Sequence, residues 1–359
     1  MSAELDVITT DRADAWKAVL AACPDHDVYH LAEYHRVAEE LGQGEAALFA
    51  IHQQGHVIAL PLLIRPCSDG SLDLERLVDA TSVYGYPGPI ASTRDVTANM
   101  QQTFADSLRL ALEERGVVSL CSRMNPLLSL GPPPAGYGEE VVAGTTVSID
   151  LTLSENEQVA RYRQNHKRDL RKLARRGVQC DMDADFRRAH EFIDLYHETM
   201  ARLGAGRHHY VGYEHLAMLR RRLEDRVALF VCTLDGELIC GGVFFFCNGI
   251  VQYHLGATRG DFLKSAPSKL LFDTVRRYGA SRRMRLLHLG GGLGGRRDSL
   301  FHFKAGFSDR RHPFTLWRWI VRPEAYQRLC SARSRRLSAE GNIRPSPDYF
   351  PAYRAPAAS

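Results

Sequence analysis

Residues 226–260 read RVALFVCTLDGELICGGVFFFCNGIVQYHLGATRG. Three apolar runs are separated by Asp235–Gly236 and Asn248–Gly249, and Asp-Gly and Asn-Gly are the strongest short signals for two-residue hairpin turns. The stretch therefore predicts three antiparallel strands in a meander. A predicted helix, APSKLLFDTVRRYGAS, and a predicted strand, MRLLHLGGG, follow it. The whole segment indicates an α+β unit with a mixed sheet.

The first half of the chain repeats this order of elements without repeating the sequence. EAALFAIHQQG and HVIALPLLIRPC predict a hairpin, and VTANMQQTFADSLRLALEERG predicts an amphipathic helix that ends at Gly116. VVSLCSRMNPLL then predicts a strand and a turn. A chain of 359 residues is long enough for two domains. We expect domain 1 to span residues 1–149, completed by 320–359, and domain 2 to span 150–319.

The composition is that of a soluble globular protein, with 45% hydrophobic and 25% charged residues. No apolar run approaches the length of a membrane span, and the N-terminus lacks the features of a secretory signal. The eight cysteines form no CxxC pair and no zinc-type spacing. We therefore expect a cytoplasmic protein with no metal and no membrane segment.

Positive charge is concentrated in one predicted helix, although the net charge is only +4. Between Arg161 and Arg176 there are eight Lys or Arg residues and one Asp. Such a cluster favours an anionic partner such as a nucleic-acid backbone, while a merely solvated helix face is the alternative. The candidate phosphate-binding residues are Arg168, Arg171, Lys172, Arg175, Arg296 and Arg297.

The segment HLGGGLGGRRDSLFHFKAGF, residues 288–307, carries the candidate chemistry. Gly290, Gly291 and Gly292 end a predicted strand, and we interpret them as a tight turn beside a substrate channel. The surrounding sequence fits neither a P-loop nor a dinucleotide fingerprint. Lys304, between aromatic residues, is the candidate catalytic cation, and Phe303 is a candidate for stacking on an unpaired base. A surface lysine and a core phenylalanine are the alternatives.

These segments together resemble the FemAB-like aminoacyltransferases, or Fem ligases. LGGGLGGRRDSLFHFKAGF is similar to that family's strand–GG–loop–FKxxF segment, although the family often has Asp-Phe-Gly-Gly where this chain has His-Leu-Gly-Gly at 288–291. YGYPGPI (84–90), SRMNPLL (122–128) and RQNHKRDLRKLARRGV resemble its acceptor-side loop, its Arg-x-x-Pro turn and its basic helix. The resemblance implies two tandem GNAT-like domains, aminoacyl-tRNA as donor and no cofactor.

The resemblance further implies an amine acceptor, either a peptidoglycan precursor or an antibiotic scaffold. Tyrosine and arginine side chains suit the binding of such an acceptor, and the candidates are Tyr84, Tyr86, Arg123, Tyr213 and Tyr253. His208 and His209 are candidate bases by residue type alone.

An acyl-CoA-dependent GNAT N-acyltransferase is the main alternative. The predicted strand–helix junction RGDFLKSAPSKLL lacks the R/Q-x-x-G-x-G/A pattern that binds pyrophosphate there, which disfavours this alternative. A non-catalytic RNA-binding protein is a second alternative, because the basic helix alone would serve it.

Overall fold

The computed structural model describes residues 5–67, 77–128, 130–206, 210–339, 346 and 348–356. The chain forms two compact units. Unit 1 contains Met1–Ala143 and Phe314–Ser359, and unit 2 contains Gly144–Pro313. The domain limits predicted at 149/150 and 319/320 remain predictions beside these observed limits. Each unit is described by itself.

Unit 1 begins with a strand and two helices, continues as a meander, and ends with a long helix and a strand. Its elements up to the first unit boundary are β1 (Leu5–Thr9), α1 (Ala13–Ala22), α2 (Ala32–Glu40), β2 (Glu45–Gln53), β3 (His56–Pro66), β4 (Val78–Thr81), β5 (Ile90–Ala91), α3 (Ala98–Glu114) and β6 (Val117–Arg123).

Strand β7 (Glu139–Asp150) crosses into unit 2, where the same order recurs. The elements of unit 2 are α4 (Glu155–Ala160), α5 (Gln164–Arg175), β8 (Gln179–Asp183), α6 (Ala189–Arg202), α7 (Tyr213–Leu223), β9 (Val227–Leu234), β10 (Glu237–Cys247), β11 (Ile250–Thr258), α8 (Ser268–Ser281), β12 (Leu286–Gly290) and α9 (Ser299–Lys304). Strand β13 (Arg311–Ile320) returns to unit 1, which ends with α10 (Pro323–Ala339).

Both units contain a mixed sheet of the same design. In unit 2 the strand order is β7-β12-β11-β10-β9-β8, with β11 and β12 parallel and the other pairs antiparallel. In unit 1 the order is β1-β2-β3-β4-β6-β13, with β4 and β6 parallel. Each parallel pair is joined through one helix, α3 or α8. The predicted α+β class with two GNAT-like units and mixed sheets is confirmed.

The hairpin turns form where the sequence predicts them. Asp235, Gly236, Asn248 and Gly249 all have positive φ, which is the conformation that a type I′ turn demands of both central residues. The turns fix the register of β9, β10 and β11, so that Val243 is the partner of Leu229 on one side and of Leu255 on the other. Helices α8 and α9 pack against these strands in one hydrophobic core.

The segment Arg161–Arg176, predicted as one helix, is interrupted at Arg163, between α4 and α5. Arg163 is extended (φ −60°, ψ 150°) because its amide donates to the carbonyl of Gly306, N···O 2.8 Å, instead of continuing the helix. Ser154 forms its capping box with Glu157, because the reciprocal bond requires the third residue of the helix.

Candidate active site around Lys304

Helix α9 directs Lys304 into unit 2 rather than toward solvent. The carboxylate of Asp298 caps the helix by accepting from the amide of Phe301 at 2.9 Å. The short helix then places Phe301 and Lys304 on its buried side, and the lysine side chain is only 5% exposed. The ammonium donates to the carbonyl oxygen of Gly291 at 2.7 Å. The expectation of an ordinary surface lysine is therefore wrong.

Strand β11 supplies an aromatic ring beside the Lys304 amine. The Tyr253 ring of β11 lies with its centroid 5.2 Å from Nζ, a distance at which an aromatic face attracts a cation. Burial lowers the pKa of Lys304 to about 7, although the charge of Asp298 opposes the shift. Burial therefore favours the neutral amine over the ammonium.

A row of polar side chains crosses the sheet beside this lysine. His288 of β12 is buried, and its Nδ1 lies 2.7 Å from Oε1 of Gln252 on β11. Ser148 of β7 is the register partner of His288, and its hydroxyl lies 2.7 Å from Nε2 of His312. Burial, with the nearby His312 and Lys304, lowers the pKa of His288 to about 3. Burial also lowers the pKa of His312.

The three glycines of the predicted turn lie between this row and α9. Gly290 has φ +71°, which a residue with a side chain rarely adopts. A Cβ at Gly291 would overlap the carbonyl of Thr145, and one at Gly292 would overlap Asp298. The glycines therefore let the chain pass closely against β7. Because Gly291 has no side chain, its carbonyl is accessible to the ammonium of Lys304.

Phe303 packs in the core of unit 2. Its ring centroid lies 5.6 Å from that of His166, 5.8 Å from that of Phe272 and 5.7 Å from that of Phe307. The side chain is partly exposed. These contacts fix α9 in place, and the predicted stacking of Phe303 on a terminal adenine stays a prediction.

The basic helix α5 is docked on the segment that carries Lys304. The guanidinium of Arg163, at the start of α5, donates to the carbonyl of His302 at 3.0 Å. His166, buried on α5, lies with Nε2 3.0 Å from the carbonyl oxygen of Phe303. Burial, with the charge of Lys269, lowers the pKa of His166 to about 4, so this anchor is an uncharged ring. The predicted basic and catalytic segments thus meet.

The predicted phosphate-binding residues lie on the surface of unit 2. All six are exposed: Arg168, Arg171, Lys172, Arg175, Arg296 and Arg297. Arg168 has a salt bridge with Asp169 at 3.3 Å. Within the described ranges, the ion pairs found for unit 2 include none for Arg171, Lys172 or Arg175. These three cations are therefore available to an anionic partner.

The predicted acceptor residues of unit 1 lie together. The guanidinium of Arg123 lies 5.4 Å from the ring centroid of Tyr84, which is 55% exposed. The carbonyl of Tyr84 accepts from the hydroxyl of Tyr34 at 2.8 Å, and that of Tyr86 accepts from Asn125 at 2.8 Å. Burial raises the pKa of Tyr86 to about 12. The structure thus joins Tyr84, Tyr86 and Arg123 in one cluster of unit 1.

The two predicted acceptor residues of unit 2 have separate surroundings. Tyr253 lies beside Lys304, as described. Tyr213, at the start of α7, instead stacks on the ring of His190 with centroids 3.8 Å apart. His208 and His209 lie outside the described residues.

Sequence reasoning missed Gln252, Ser148 and His312. Gln252 and Ser148 are polar residues within predicted strands, in IVQYHL and TVSI, and a buried polar residue requires a hydrogen-bond partner. That interruption is the signal that could have identified them. His312 had no comparable signal, because it precedes Pro313 in a segment of mixed polarity.

Comparison with known proteins places this geometry in a known fold. Residues 160–304 match the family model described as "Acetyltransferase (GNAT) domain". No curated protein matches the sequence. Within the described ranges, no helix is long and apolar enough to cross a membrane, and no group of three or more His, Cys, Asp or Glu residues could hold a metal ion.

Solved structures extend the likeness to most of the chain. The crystal structure of FemX shares 13% identity and a TM-score of 0.65, covering 90% of this chain and 99% of that one. The C-terminal domain of a putative lysylphosphatidylglycerol synthetase from Agrobacterium fabrum shares 14% identity and a TM-score of 0.54, covering 90% and 96%. L-PGS from Bacillus licheniformis shares 10% identity and a TM-score of 0.50, covering 86% and 91%. The predicted resemblance to the Fem ligases is confirmed in the fold, which is of the GNAT acyltransferase type.

Proposed function

We propose that this protein is an aminoacyltransferase that moves an amino acid from aminoacyl-tRNA to an amine acceptor and forms an amide. The observation that carries the proposal is the docking of the basic helix α5 on the segment that buries Lys304. The exposed cations of α5 could therefore bind a polyanion, while the adjoining segment places the amine of Lys304 where it could contact the reacting groups. The likeness in fold to FemX adds support.

The chemistry requires few catalytic groups. The ester of aminoacyl-tRNA is already activated, so attack by an amine needs no covalent enzyme intermediate. It needs a deprotonated acceptor, correct positioning and stabilisation of the developing oxyanion. Lys304 and the hydroxyl of Tyr253 are the groups of unit 2 that we assign to the reacting atoms.

The donor would be held through its phosphates by the exposed face of α5. Arg171, Lys172 and Arg175 project from this face, and a run of cations binds a nucleic-acid backbone with a strong dependence on salt. Aminoacyl-tRNA is a cytoplasmic substrate, so the proposed reaction belongs in the cytoplasm. Arg296 and Arg297 follow the glycine turn and extend the same charge.

The acceptor is assigned to the cluster of Tyr84, Tyr86 and Arg123. An arginine beside an exposed aromatic ring suits a phosphate or carboxylate on a molecule that also carries the reacting amine. Peptidoglycan precursors and antibiotic scaffolds both meet this description, and they are the two acceptor classes to be tested.

The main alternative donor is an acyl-CoA. Its pyrophosphate would need free backbone amides where β11 leads into α8. At this junction the amide of Gly260 donates to the carboxylate of Glu198 at 2.9 Å, and the amide of Ala266 donates to the carbonyls of Phe262 and Leu263. A carboxylate and occupied amides oppose the binding of pyrophosphate, which supports aminoacyl-tRNA over CoA.

The test is transfer of a radiolabelled amino acid from charged tRNA to acceptor amines, with labelled acetyl-CoA as the competing donor. We expect label in the acceptor from tRNA, abolished by ribonuclease pretreatment. Transfer from acetyl-CoA that ribonuclease leaves unchanged would refute the proposal. Binding of tRNA without transfer to any acceptor would favour the non-catalytic RNA-binding protein.

Lys304→Met tests the assigned lysine in the same assay. We expect transfer to fall at least tenfold, which corresponds to about 1.4 kcal/mol of transition-state stabilisation. Lys264→Met is the matched control, because Lys264 is exposed on the surface of the same unit. An unchanged rate in Lys304→Met would remove this residue from the mechanism.

A further inference from the structure

Three cysteines of unit 2 lie side by side across the strands β8, β9 and β10. Cys232 of β9 is the register partner of Cys180 on β8 and of Cys240 on β10. Directly opposed residues of antiparallel strands project from the same face of a sheet, with Cα atoms about 4.5–5.5 Å apart. These separations fall inside the range of about 4.4–6.8 Å that a disulfide requires. The strand pairing therefore brings Cys232 within bonding reach of a second thiol on each side.

The side chains of these cysteines share one environment. Each is a free cysteine, and all three belong to the hydrophobic core of unit 2. The thiol of Cys232 donates to the carbonyl of Pro267, just before α8, at 3.8 Å. The hydroxyl of Thr258 donates to Sγ of Cys240 at 3.4 Å. Burial raises the pKa of Cys232, and hydrogen bonds with Cys180 and Cys240 raise it further, so this sulfur remains a thiol at neutral pH.

Access to solvent distinguishes the three thiols. Cys232 and Cys240 are 0% and 1% exposed, whereas Cys180 is partly exposed. Strand β8 is the last in the strand order of the sheet, so Cys180 stands at the edge. A small oxidant dissolved in water therefore reaches Cys180 first, and Cys232 is the thiol directly beside it.

We propose that Cys180 and Cys232 form an oxidation site, at which a hydroperoxide converts the two thiols into a disulfide that links β8 to β9. The peroxide transfers one oxygen atom to the Cys180 sulfur, which becomes a sulfenic acid, and the peroxide itself is reduced to water or an alcohol. The Cys232 sulfur then attacks the Cys180 sulfur, so that the S–S bond forms and the S–O bond breaks. The proton of Cys232 and the departing hydroxide leave as water. Two electrons thus pass from the thiols to the peroxide.

The proposal goes beyond the proposed function and does not rest on it. The raised pKa of Cys232 keeps its fraction of thiolate small, but a sulfur held against the sulfenic acid reacts at a high effective concentration. In the cytoplasm such a disulfide is usually transient, so we expect a dithiol to reverse it. The alternative is that these residues serve only as small hydrophobic side chains of the core.

The experiment exposes the reduced chain to hydrogen peroxide under native conditions, with dimedone added to a parallel sample to trap sulfenic acid. Remaining thiols are blocked with N-ethylmaleimide in urea, and peptides are identified by mass spectrometry before and after reduction by dithiothreitol. Cys180→Ala and Cys232→Ala are the test variants, and Cys240→Ala tests the neighbouring pair. Cys247→Ala is the matched control, because Cys247 is a buried cysteine of the same sheet whose register partner is Ile250.

We expect two of the eight cysteines to escape blocking, in a pair of peptides that joins Cys180 to Cys232 and that dithiothreitol separates. Dimedone should label Cys180, and the label should increase in Cys232→Ala, because the sulfenic acid then lacks its adjacent thiol. Cys180→Ala should show no loss of thiols beyond the substituted one. Cys240→Ala and Cys247→Ala should form the same disulfide as the wild type.

Several results would overturn the proposal. Recovery of all eight thiols, under conditions that fully oxidise free glutathione, would leave the row as core packing. Oxidation of Cys180 to a sulfinic acid without a disulfide, or a disulfide between two chains, would also refute it, since neither uses the contact with Cys232. A link between Cys232 and Cys240 would show that the reactive pair is wrongly assigned. If Cys232→Ala does not fold, the wild-type peptides and Cys180→Ala still decide the outcome.

Discussion

Replacing Lys304 by methionine should change the stability of unit 2 in a way that depends on pH. Methionine has similar length and no titratable group. Burial lowers the pKa of Lys304 from 10.5 to about 7 in the folded chain, and the unfolded chain returns it to its ordinary value. Between these two values the unfolded state binds more protons, so the free energy of unfolding of the wild type rises with pH.

The magnitude follows from the size of the shift. At pH 6 both states are largely protonated, and burying the charge costs the wild type about 5 kcal/mol, at 1.36 kcal/mol for each pKa unit. At pH 9 the folded state is neutral, and the cost falls to about 2 kcal/mol. The wild type should therefore gain about 3 kcal/mol relative to Lys304→Met between pH 6 and pH 9. The lost hydrogen bond to Gly291 and any change in packing are the same at both pH values and cancel.

The assay is urea unfolding of both proteins at pH 6 and pH 9. The tryptophans of the chain, Trp16, Trp317 and Trp319, all belong to unit 1. Tryptophan fluorescence therefore follows unit 1, while far-UV circular dichroism follows both units. The pH-dependent difference should appear in the dichroism transition. Lys264→Met, which removes an exposed lysine of the same unit, is the control for the loss of one charge.

A stability difference that stays constant within about 0.5 kcal/mol from pH 6 to pH 9 would refute the reasoning, since a shift of this size cannot be hidden by mutation effects that are independent of pH. It would mean that Lys304 remains an ammonium when folded. A pH-dependent difference of the same size in Lys264→Met would assign the effect to net charge rather than to burial.

Three further predictions concern the surfaces and contacts around this site. Arg171→Glu should weaken the affinity for tRNA and lower the slope of log K against log salt by about 0.7 or more, measured by filter binding; Arg335→Glu, an equal charge change on the exposed side of α10, should have a smaller effect. Gly306→Ala should destabilise unit 2 by about 1–3 kcal/mol in urea unfolding, because the new Cβ would overlap the ring of His166; full stability would show that α5 moves freely. Arg354→Ala should lower the free energy of unfolding of unit 1 by about 1–3 kcal/mol, measured in the tryptophan-detected transition. The buried carboxylate of Asp79 on β4 would keep Arg65 as its one arginine partner instead of two; an unchanged midpoint would contradict this.

Local signals were sufficient for the meander of β9, β10 and β11. The two turn dipeptides set the meander because their residues adopt positive φ without help from the rest of the fold. Lys304 was selected because it stands between aromatic residues in a segment that resembles the FKxxF segment of the Fem ligases. Its burial on α9 was not indicated by the residues around it.

Contacts distant in sequence were beyond the same reasoning. The division of the basic helix depends on a hydrogen bond between Arg163 and Gly306, and no pattern within the helix indicates it. The row formed by Gln252, His288 and Ser148 requires the parallel pairing of β11 with β12 and the antiparallel pairing of β12 with β7. A sequence specifies such pairings only through the whole fold.

Lys269 and Lys304 are equally buried lysines of unit 2 with different partners. The two side chains are equally shielded from water, but Lys269 lies against a carboxylate and its charge serves to hold two helices together. Lys304 faces a carbonyl oxygen and an aromatic ring. The partner of each lysine, rather than its burial, therefore separates a structural cation from the group that we assign to the reacting atoms.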